Sequence, residues 1–124
     1  MNKPLKIEPK SYIKFWGVSK NVVKNENYMG NVNFYRAGQS GSLQYHPRKD
    51  ETLHLFEGEA VLWTGDLETK ELFPIEFKMG ETYYVAPNTV HKFQAITDCV
   101  VFEISTPIEN DRFNCDEIFK NSIG

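Results

Sequence analysis

Residues 38–58 read GQSGSLQYHPRKDETLHLFEG, and this stretch concentrates side chains that bind metal ions. Gln44 and His46 are two residues apart, so on an extended strand both side chains point to the same face. Residues 47–50, PRKD, form a polar turn that does not easily continue a sheet, and Glu51 opens the next apolar run. The pattern predicts a hairpin that brings Gln44, His46 and Glu51 together.

His91 supplies a fourth donor forty residues after Glu51. Two imidazoles, one carboxylate and one carboxamide make a mixed nitrogen and oxygen donor set that leaves room for water or substrate. Such a set suits one divalent transition metal, Zn before Mn, Fe or Ni. Taken singly, each of the four side chains is more typical of a solvated strand or turn than of a metal site. Their joint spacing favours a metal site.

Composition indicates one globular domain over residues 1–124, with 40% hydrophobic residues and a net charge of −3. No basic run is long enough to follow a row of phosphates, so we expect no nucleic-acid partner. The N-terminal residues show no apolar leader, and no apolar span has the length that crosses a bilayer. We therefore expect a soluble, cytoplasmic protein without a membrane partner. Cys99 and Cys115 lack CxxC spacing and are interpreted as reduced structural thiols.

Short runs rich in Val, Ile, Tyr, Phe and Thr recur every eight to twelve residues, which is typical of an all-β sandwich or barrel. We expect hairpin turns at Glu57-Gly58-Glu59 and Gly65-Asp66, a corner at Gly80, and one helix over residues 114–121 capped by Asn114. The predicted strands cover residues 12–16, 31–37, 42–46, 52–56, 60–64, 72–78, 82–85, 91–96 and 99–105.

Two motifs in the chain resemble those of the cupin superfamily. Gly38, five residues, Gln44-Tyr45-His46, four residues, Glu51, six residues and Gly58 fit the first cupin motif, with Gln44 where a histidine is usual. Gly80 and His91 fit the second motif, in which Ala86-Pro87-Asn88 replaces Pro-x-Gly; Asn tolerates a positive φ. The resemblance implies a single-domain cupin jelly-roll barrel with a short C-terminal helix.

Within that superfamily the chain resembles the type II mannose-6-phosphate isomerase domain almost end to end. That family is known for a Gln, His, Glu, His ligand set, so Gln44 agrees with this branch. The resemblance implies a metal-dependent isomerase or epimerase of a small sugar or sugar phosphate. The chain departs from the family where adjacent histidines are replaced by Pro47-Arg48, and the guanylyltransferase domain often fused to it is absent from the sequence given.

Several further residues are candidates for catalysis. An isomerase needs a base, and Glu103 in the run VFEI would have a raised pKa if its side chain faced inward. Lys49, Arg112 and Tyr84 are candidates for the barrel mouth, where a cationic pair can hold a phosphate. His54 is out of phase with the other donors and should point away from the metal. We expect Trp16 with Phe15 to close the barrel bottom.

Two alternatives remain open from the sequence. One is a non-haem metal dioxygenase or lyase, because one fold hosts many reactions. The other is a non-catalytic barrel that binds a sugar or regulates a larger enzyme. In each case we expect a homodimer, since residues 12–16 would otherwise form an exposed aromatic edge strand.

Overall fold

The computed structural model describes residues 2–123, which form an antiparallel β-barrel with one short helix at the C-terminal end. The all-β prediction is therefore confirmed. Over these residues the elements are β1 (Lys10–Lys14), β2 (Gly17–Lys24), β3 (Met29–Tyr35), β4 (Gln44–Tyr45), β5 (Glu51–Glu57), β6 (Ala60–Gly65), β7 (Leu72–Phe77), β8 (Thr82–Val85), β9 (Val90–Ala95), β10 (Cys99–Ser105), β11 (Phe113–Asn114) and α1 (Asp116–Ile123).

Two sheets face each other across the barrel interior. The six-stranded sheet has the order β1-β2-β3-β10-β5-β8, and the five-stranded sheet has the order β11-β4-β9-β6-β7. β1, β2 and β3 follow one another in the six-stranded sheet; from β3 to β11 the chain changes sheet at every step except from β6 to β7, as in a jelly roll. In the described part of the chain, no helix is long and apolar enough to cross a membrane.

The main hydrophobic core lies between the sheets and is built from alternate residues of each strand. Trp16 stacks on Tyr35 with ring centroids 3.9 Å apart, and Tyr35 in turn contacts Phe93. Trp16 is thus a core residue, as expected. Phe15 is 70% exposed, so the prediction that both rings close the barrel was wrong for Phe15. Phe15 and Trp16 are the two turn residues of the β1–β2 hairpin, in which Lys14 pairs with Gly17, and only the Trp16 side chain leaves the turn toward the core.

Two strands were not predicted. β2 reads GVSKNVVK and carries three polar residues in its centre, which hides its alternation; it is held by pairing with β1 and β3. β11 is only two residues long and exists because it pairs with β4. Long-range pairing, which a local pattern does not record, defines both strands.

The connection at residues 47–50 differs from the predicted hairpin. β4 belongs to the five-stranded sheet and β5 to the six-stranded sheet, so the PRKD segment crosses between sheets. The Glu57-Gly58-Glu59 turn also joins strands of different sheets, from β5 to β6. Of the two predicted hairpin turns, Gly65-Asp66 is confirmed, since β6 and β7 pair directly. Gly80 lies at a corner before β8, as expected, with φ of 90°.

Helix α1 is part of the packed structure. Phe119, Cys115, Leu43 and Val90 form a second buried cluster, so the helix covers the outer end of β4 and β9. The helix begins two residues later than predicted, and the Cys115 carbonyl accepts its first hydrogen bonds. The Asn114 side chain accepts a hydrogen bond from the Asp116 N–H at 2.8 Å and so holds the turn just before the helix. Cys99 and Cys115 are both buried free thiols.

Gly58 offers a sharp test of the crossover between the sheets. Its φ is 103°, and an added Cβ would lie 2.4 Å from the Asp98 carbonyl oxygen. Gly38 has φ of 81° but nothing within 4 Å of the added Cβ. We expect Gly38→Ala to cost about 1–2 kcal/mol from backbone strain alone. Gly58→Ala should cost about 1–3 kcal/mol more, from overpacking. Equal losses in urea unfolding would contradict the close approach at Gly58.

Candidate metal centre and its cavity

Three buried side chains from both sheets meet inside the barrel. His46 follows β4, His91 lies in β9, and Glu51 is the first residue of β5 on the opposite sheet. Their exposed fractions are 8%, 5% and 3%. Because the segment at 47–50 crosses between sheets, Glu51 faces the two histidines across the interior.

The three donor groups share one small volume. Glu51 Oε1 lies 2.9 Å from His91 Nε2 and 3.3 Å from His46 Nε2. One ligand atom from each residue falls within 4.8 Å of the other two, so the group could hold a metal ion. His46, Glu51 and His91 are thus brought together as the sequence predicted.

A hydrogen bond outside the centre fixes the tautomer of the His91 ring. Its Nδ1 lies 2.9 Å from the Thr89 carbonyl oxygen, which can only accept, so Nδ1 carries the hydrogen. The lone pair of a neutral His91 ring is then on Nε2, facing Glu51. This outer hydrogen bond is the arrangement that usually orients a metal-binding histidine.

The turn before β9 supports the same geometry. Asn88 has φ of 64°, which confirms that Asn serves in place of glycine at this position. Its N–H donates to the His46 carbonyl oxygen at 2.8 Å. The turn therefore links the two histidine segments directly.

Gln44 lies beside the three candidate ligands. Its Cα pairs with that of His91 across β4 and β9. Its side-chain oxygen is buried and has no hydrogen-bond partner, as is true of His46 Nδ1. A space of about 50 Å³ is lined by residues that include Gln44, Glu51 and His91. A buried, unpaired amide oxygen is costly unless something binds it, so the donor set fits a cation.

Electrostatics at the centre favour positive charge. Burial would raise the pKa of Glu51, but hydrogen bonds from His46 and His91 outweigh it and hold that pKa well below its usual range. Burial would lower the pKa of His91, but the hydrogen bond and charge of Glu51 raise it. The field that retains a proton here would equally stabilise a divalent cation.

Glu103 is the second carboxylate of the interior. It lies in β10 between the inward residues Val101 and Ser105, and it lines the same small space as Glu51. Burial, followed by the negative charge of Glu51, raises the pKa of Glu103 to about 7. The inward orientation, which the sequence left open, is thus observed.

Asn33 and Ser19 hold Glu103 and were not anticipated. The Asn33 side-chain amide donates to Glu103 Oε2 at 2.9 Å, and Ser19 Oγ donates to Asn33 Oδ1 at 2.7 Å. Lys49 Nζ lies 4.0 Å from Glu103 Oε1. The sequence did contain a signal for these residues. Asn31 and Asn33 alternate with apolar residues in β3, which indicates a polar inner face.

A cavity of about 780 Å³ leads from the centre to the surface. Lys49, 11% exposed, and Arg112, on the exposed rim, both line it, so two of the predicted mouth residues lie with Glu103. The lining also includes Gln44, His46, Asn31, Ser19, Lys14 and Glu109.

Tyr84 is not brought to the described cavity. In β8 the side chains of Tyr83 and Val85 face the core, so Tyr84 points outward and is 63% exposed. Its hydroxyl donates to Asp50 Oδ2 at 3.4 Å. His54 also points outward and lies 2.8 Å from Thr82 Oγ1, which agrees with its exclusion from the ligand set.

Asp111 holds the crossover that separates His46 from Glu51. Its Oδ2 accepts the N–H groups of Arg48 at 2.8 Å and Lys49 at 2.9 Å. Burial would raise the pKa of Asp111, but these hydrogen bonds outweigh it and lower the pKa. The C-terminal segment therefore helps to place Lys49 in the cavity.

No protein-family model matches the chain, and no curated protein matches it in sequence. Solved structures do match. The chain superposes on the capsular polysaccharide assembling protein CapF from Staphylococcus aureus with a TM-score of 0.77 and 14% identity, covering 88% of this chain and 34% of CapF. The chain thus spans about a third of that protein.

Two further structures are similar over most of this chain. KdgF from Halomonas sp. gives a TM-score of 0.70 at 16% identity, covering 85% of this chain and 90% of KdgF. Oxalate decarboxylase from Bacillus subtilis gives 0.72 at 19% identity, covering 86% of this chain and 30% of that enzyme. These likenesses show the fold alone: a cupin jelly roll, also called a double-stranded β-helix.

We expect the purified protein to bind one divalent transition metal per chain. Three substitutions should each weaken metal binding: His46→Ala, Glu51→Gln and His91→Ala. The loss should exceed the roughly 10–100-fold that is typical when a residue hydrogen-bonded to a metal ligand is removed. Gln44→Leu should weaken it less, since a neutral oxygen is lost. Chelator competition and elemental analysis measure the effect. His54→Ala is the matched control and should bind as the wild type does. Full binding by His91→Ala would exclude this centre.

Proposed function

We propose that the protein is a metal-dependent enzyme that isomerises or epimerises a small sugar or sugar phosphate. One observation supports this most directly: Glu103, with a pKa raised to about 7, lies beside the candidate metal centre at the base of an open cavity. A carboxylate near its pKa at neutral pH can both take and return a proton.

The cavity suits a small, hydroxylated substrate. Its volume of about 780 Å³ falls within the usual range for small-molecule sites. Ser19 and Asn31 line it with polar groups that can bond to hydroxyls. Lys49 and Arg112 add two positive charges, which match a phosphate group. The resemblance to type II mannose-6-phosphate isomerases, through Gln44 above all, supports the same substrate class.

The proposed reaction moves a proton between adjacent carbons. Asn33 binds Oε2 of Glu103 and so leaves Oε1 to accept the proton from the carbon next to the carbonyl. Oε1 then returns the proton to the neighbouring carbon, while the hydroxyl proton passes between the two oxygens. Lys49, 4.0 Å from Oε1, favours the ionised form of Glu103 that is needed before it takes the proton and again after it returns it.

Gln44, His46, Glu51 and His91 would hold the metal. When bound, the ion supplies Lewis-acid polarisation of the substrate carbonyl and hydroxyl oxygens. Its positive charge would also make Glu103 easier to ionise than it is beside Glu51 alone.

The decisive experiment incubates the metal-loaded protein in D2O with mannose 6-phosphate, fructose 6-phosphate and the neutral hexoses. Proton NMR follows both interconversion and loss of the signal at C2. We expect Glu103→Gln to lower kcat by roughly 10²–10⁴-fold, because the proton carrier is lost, with metal content unchanged. Glu109→Gln is the matched control, since Glu109 lines the same cavity but pairs with Lys24.

Other outcomes would count against the isomerase. Oxygen uptake or release of carbon dioxide without exchange at C2 would favour the oxygenase or lyase. Tight sugar binding with neither exchange nor turnover would favour the non-catalytic barrel.

The phosphate contact is tested separately at Arg112. Arg112→Ala should raise KM for a sugar phosphate by roughly ten- to hundred-fold, since a charge-assisted hydrogen bond is lost. KM for the neutral sugar should stay unchanged. Arg48→Ala is the control, because Arg48 is exposed and contacts Asp111. If KM rises equally for the sugar phosphate and the neutral sugar, Arg112 does not bind the phosphate.

A further inference from the structure

Tyr35 is a buried tyrosine that the proton transfer described above does not use. It is the last residue of β3 and is 9% exposed. Its side chain points into the barrel, like that of Asn33 two residues earlier on the same strand. Among the residues that the structure describes, none forms a hydrogen bond with the Tyr35 hydroxyl. A buried, unpaired hydroxyl is costly, so we expect a ligand to bind it.

The hydroxyl end of Tyr35 faces the small space of about 50 Å³ beside the candidate metal centre. Tyr35 and Gly41 both line this space, and a Cβ on Gly41 would lie 3.5 Å from the Tyr35 hydroxyl oxygen. Glu103 and Glu51 line it as well, and their charges are the strongest that act on the hydroxyl. The hydroxyl therefore shares one space with the candidate base and with a candidate metal ligand.

Packing of the aromatic ring holds this hydroxyl in place. Trp16 stacks on the Tyr35 ring with centroids 3.9 Å apart, and Phe93 contacts the same ring at 4.6 Å. Burial, followed by the negative charges of Glu103 and Glu51, raises the pKa of Tyr35 well above its usual range. The hydroxyl therefore keeps its hydrogen at neutral pH. Tyr35 is thus a hydrogen-bond donor at a fixed position, which is what stabilisation of a developing charge requires.

The small space adjoins the cavity of about 780 Å³, since Gln44 and Glu103 line both. A water molecule needs roughly 10–15 Å³ of cavity, so a space of about 50 Å³ has room for a few atoms, such as the reacting end of a sugar. The rest of the substrate would stay in the larger cavity. A carbon–oxygen unit in the small space is within reach of Glu103, of the candidate metal ligands and of the Tyr35 hydroxyl.

We propose that the Tyr35 hydroxyl is a catalytic hydrogen-bond donor, which binds the substrate oxygen on which negative charge develops. This role rests on the proposed function, because it serves the same proton transfer. When Glu103 takes the proton, the electrons of the broken C–H bond form a carbon–carbon double bond, and the carbonyl electrons move onto oxygen. Tyr35 donates to that oxygen without losing its own hydrogen. The charge disappears when Glu103 gives the proton to the neighbouring carbon and a carbonyl forms again.

Tyr35 differs from two other donors that line the small space. The Asn33 amide donates to Glu103, and His91 Nδ1 donates to the Thr89 carbonyl oxygen. Those hydrogen bonds would have to break before either group could bind a substrate oxygen. Tyr35 has no hydrogen bond to break among the described residues. Its interaction is therefore fully available in the transition state, where it lowers the barrier.

Tyr35→Phe tests the proposal, because it removes the hydroxyl and keeps the packed ring. We expect kcat to fall by roughly 10²–10³-fold, as is usual when such a donor is lost, while KM changes little. Metal content should stay unchanged, and the midpoint of urea unfolding should be at least as high as in the wild type, since an unpaired buried hydroxyl is gone. Tyr83→Phe is the matched control: Tyr83 packs on Phe77 in the same core, but its hydroxyl donates to the Glu76 carbonyl oxygen at 3.4 Å.

Calorimetry with two inhibitors gives a readout that does not depend on turnover. The hydroxamate of 5-phosphoarabinonic acid has a planar O–N–C–O group that copies the charged unit of the reacting sugar, whereas mannitol 6-phosphate has no such charge. Tyr35→Phe should weaken binding of the hydroxamate by roughly ten- to hundred-fold, since a hydrogen bond to a charged group is lost. Binding of mannitol 6-phosphate should stay unchanged.

A Tyr35→Phe protein with wild-type kcat and wild-type affinity for the hydroxamate would overturn the proposal. Loss of metal, or a lower unfolding midpoint, would also overturn it, because Tyr35 would then act on the structure alone. If Glu103→Gln is inactive while Tyr35→Phe is fully active, only the role of Tyr35 is refuted. A wild type that shows no exchange at C2 instead contradicts the proposed function, and with it the role of Tyr35.

Discussion

A carboxylate buried between two imidazoles joins the two sheets of this barrel. Glu51 belongs to the six-stranded sheet, whereas His46 and His91 belong to the five-stranded one. Three ionisable groups that are almost fully buried are costly unless protons or a cation neutralise them. The centre therefore couples the packing of the barrel to occupancy of the site. It also controls Glu103, whose pKa is raised partly by the charge of Glu51.

The site has consequences for the rest of the six-stranded sheet. In β10, Val101, Glu103 and Ser105 face inward, while Val100, Phe102 and Ile104 face outward. Because the inward face lines a polar cavity, it contributes little apolar burial near the centre. The outward face carries aromatic and branched side chains, including the stacked Phe56 and Phe102 rings. The two faces of β10 thus differ in chemistry: the inward face is polar at the cavity, and the outward face is apolar.

The fold restricts the function only loosely. Solved structures that share it include a capsular polysaccharide assembling protein and an oxalate decarboxylase, and all the similarities described lie below 20% identity. Function has to be argued from the site. Three features of the site support the proposed sugar phosphate chemistry. They are the unpaired oxygen of Gln44, the pKa of Glu103 raised to about 7, and the cationic side chains of Lys49 and Arg112.

The cupin type of barrel was implied by the resemblance of two motifs. The local pattern of the sequence predicted most strands, an all-β barrel and the residues of the candidate metal centre. It succeeded because Gln44 and His46 obey the two-residue repeat, and because Pro47 and Gly58 mark where strands must end. Tertiary structure alone decided that residues 47–50 cross between sheets, that β2 is a strand and that Asn33 holds Glu103. It also decided that Tyr84 faces outward. Tyr83 and Tyr84 are adjacent aromatic residues, so the alternating pattern does not show which of the two side chains faces the core, and packing determines it.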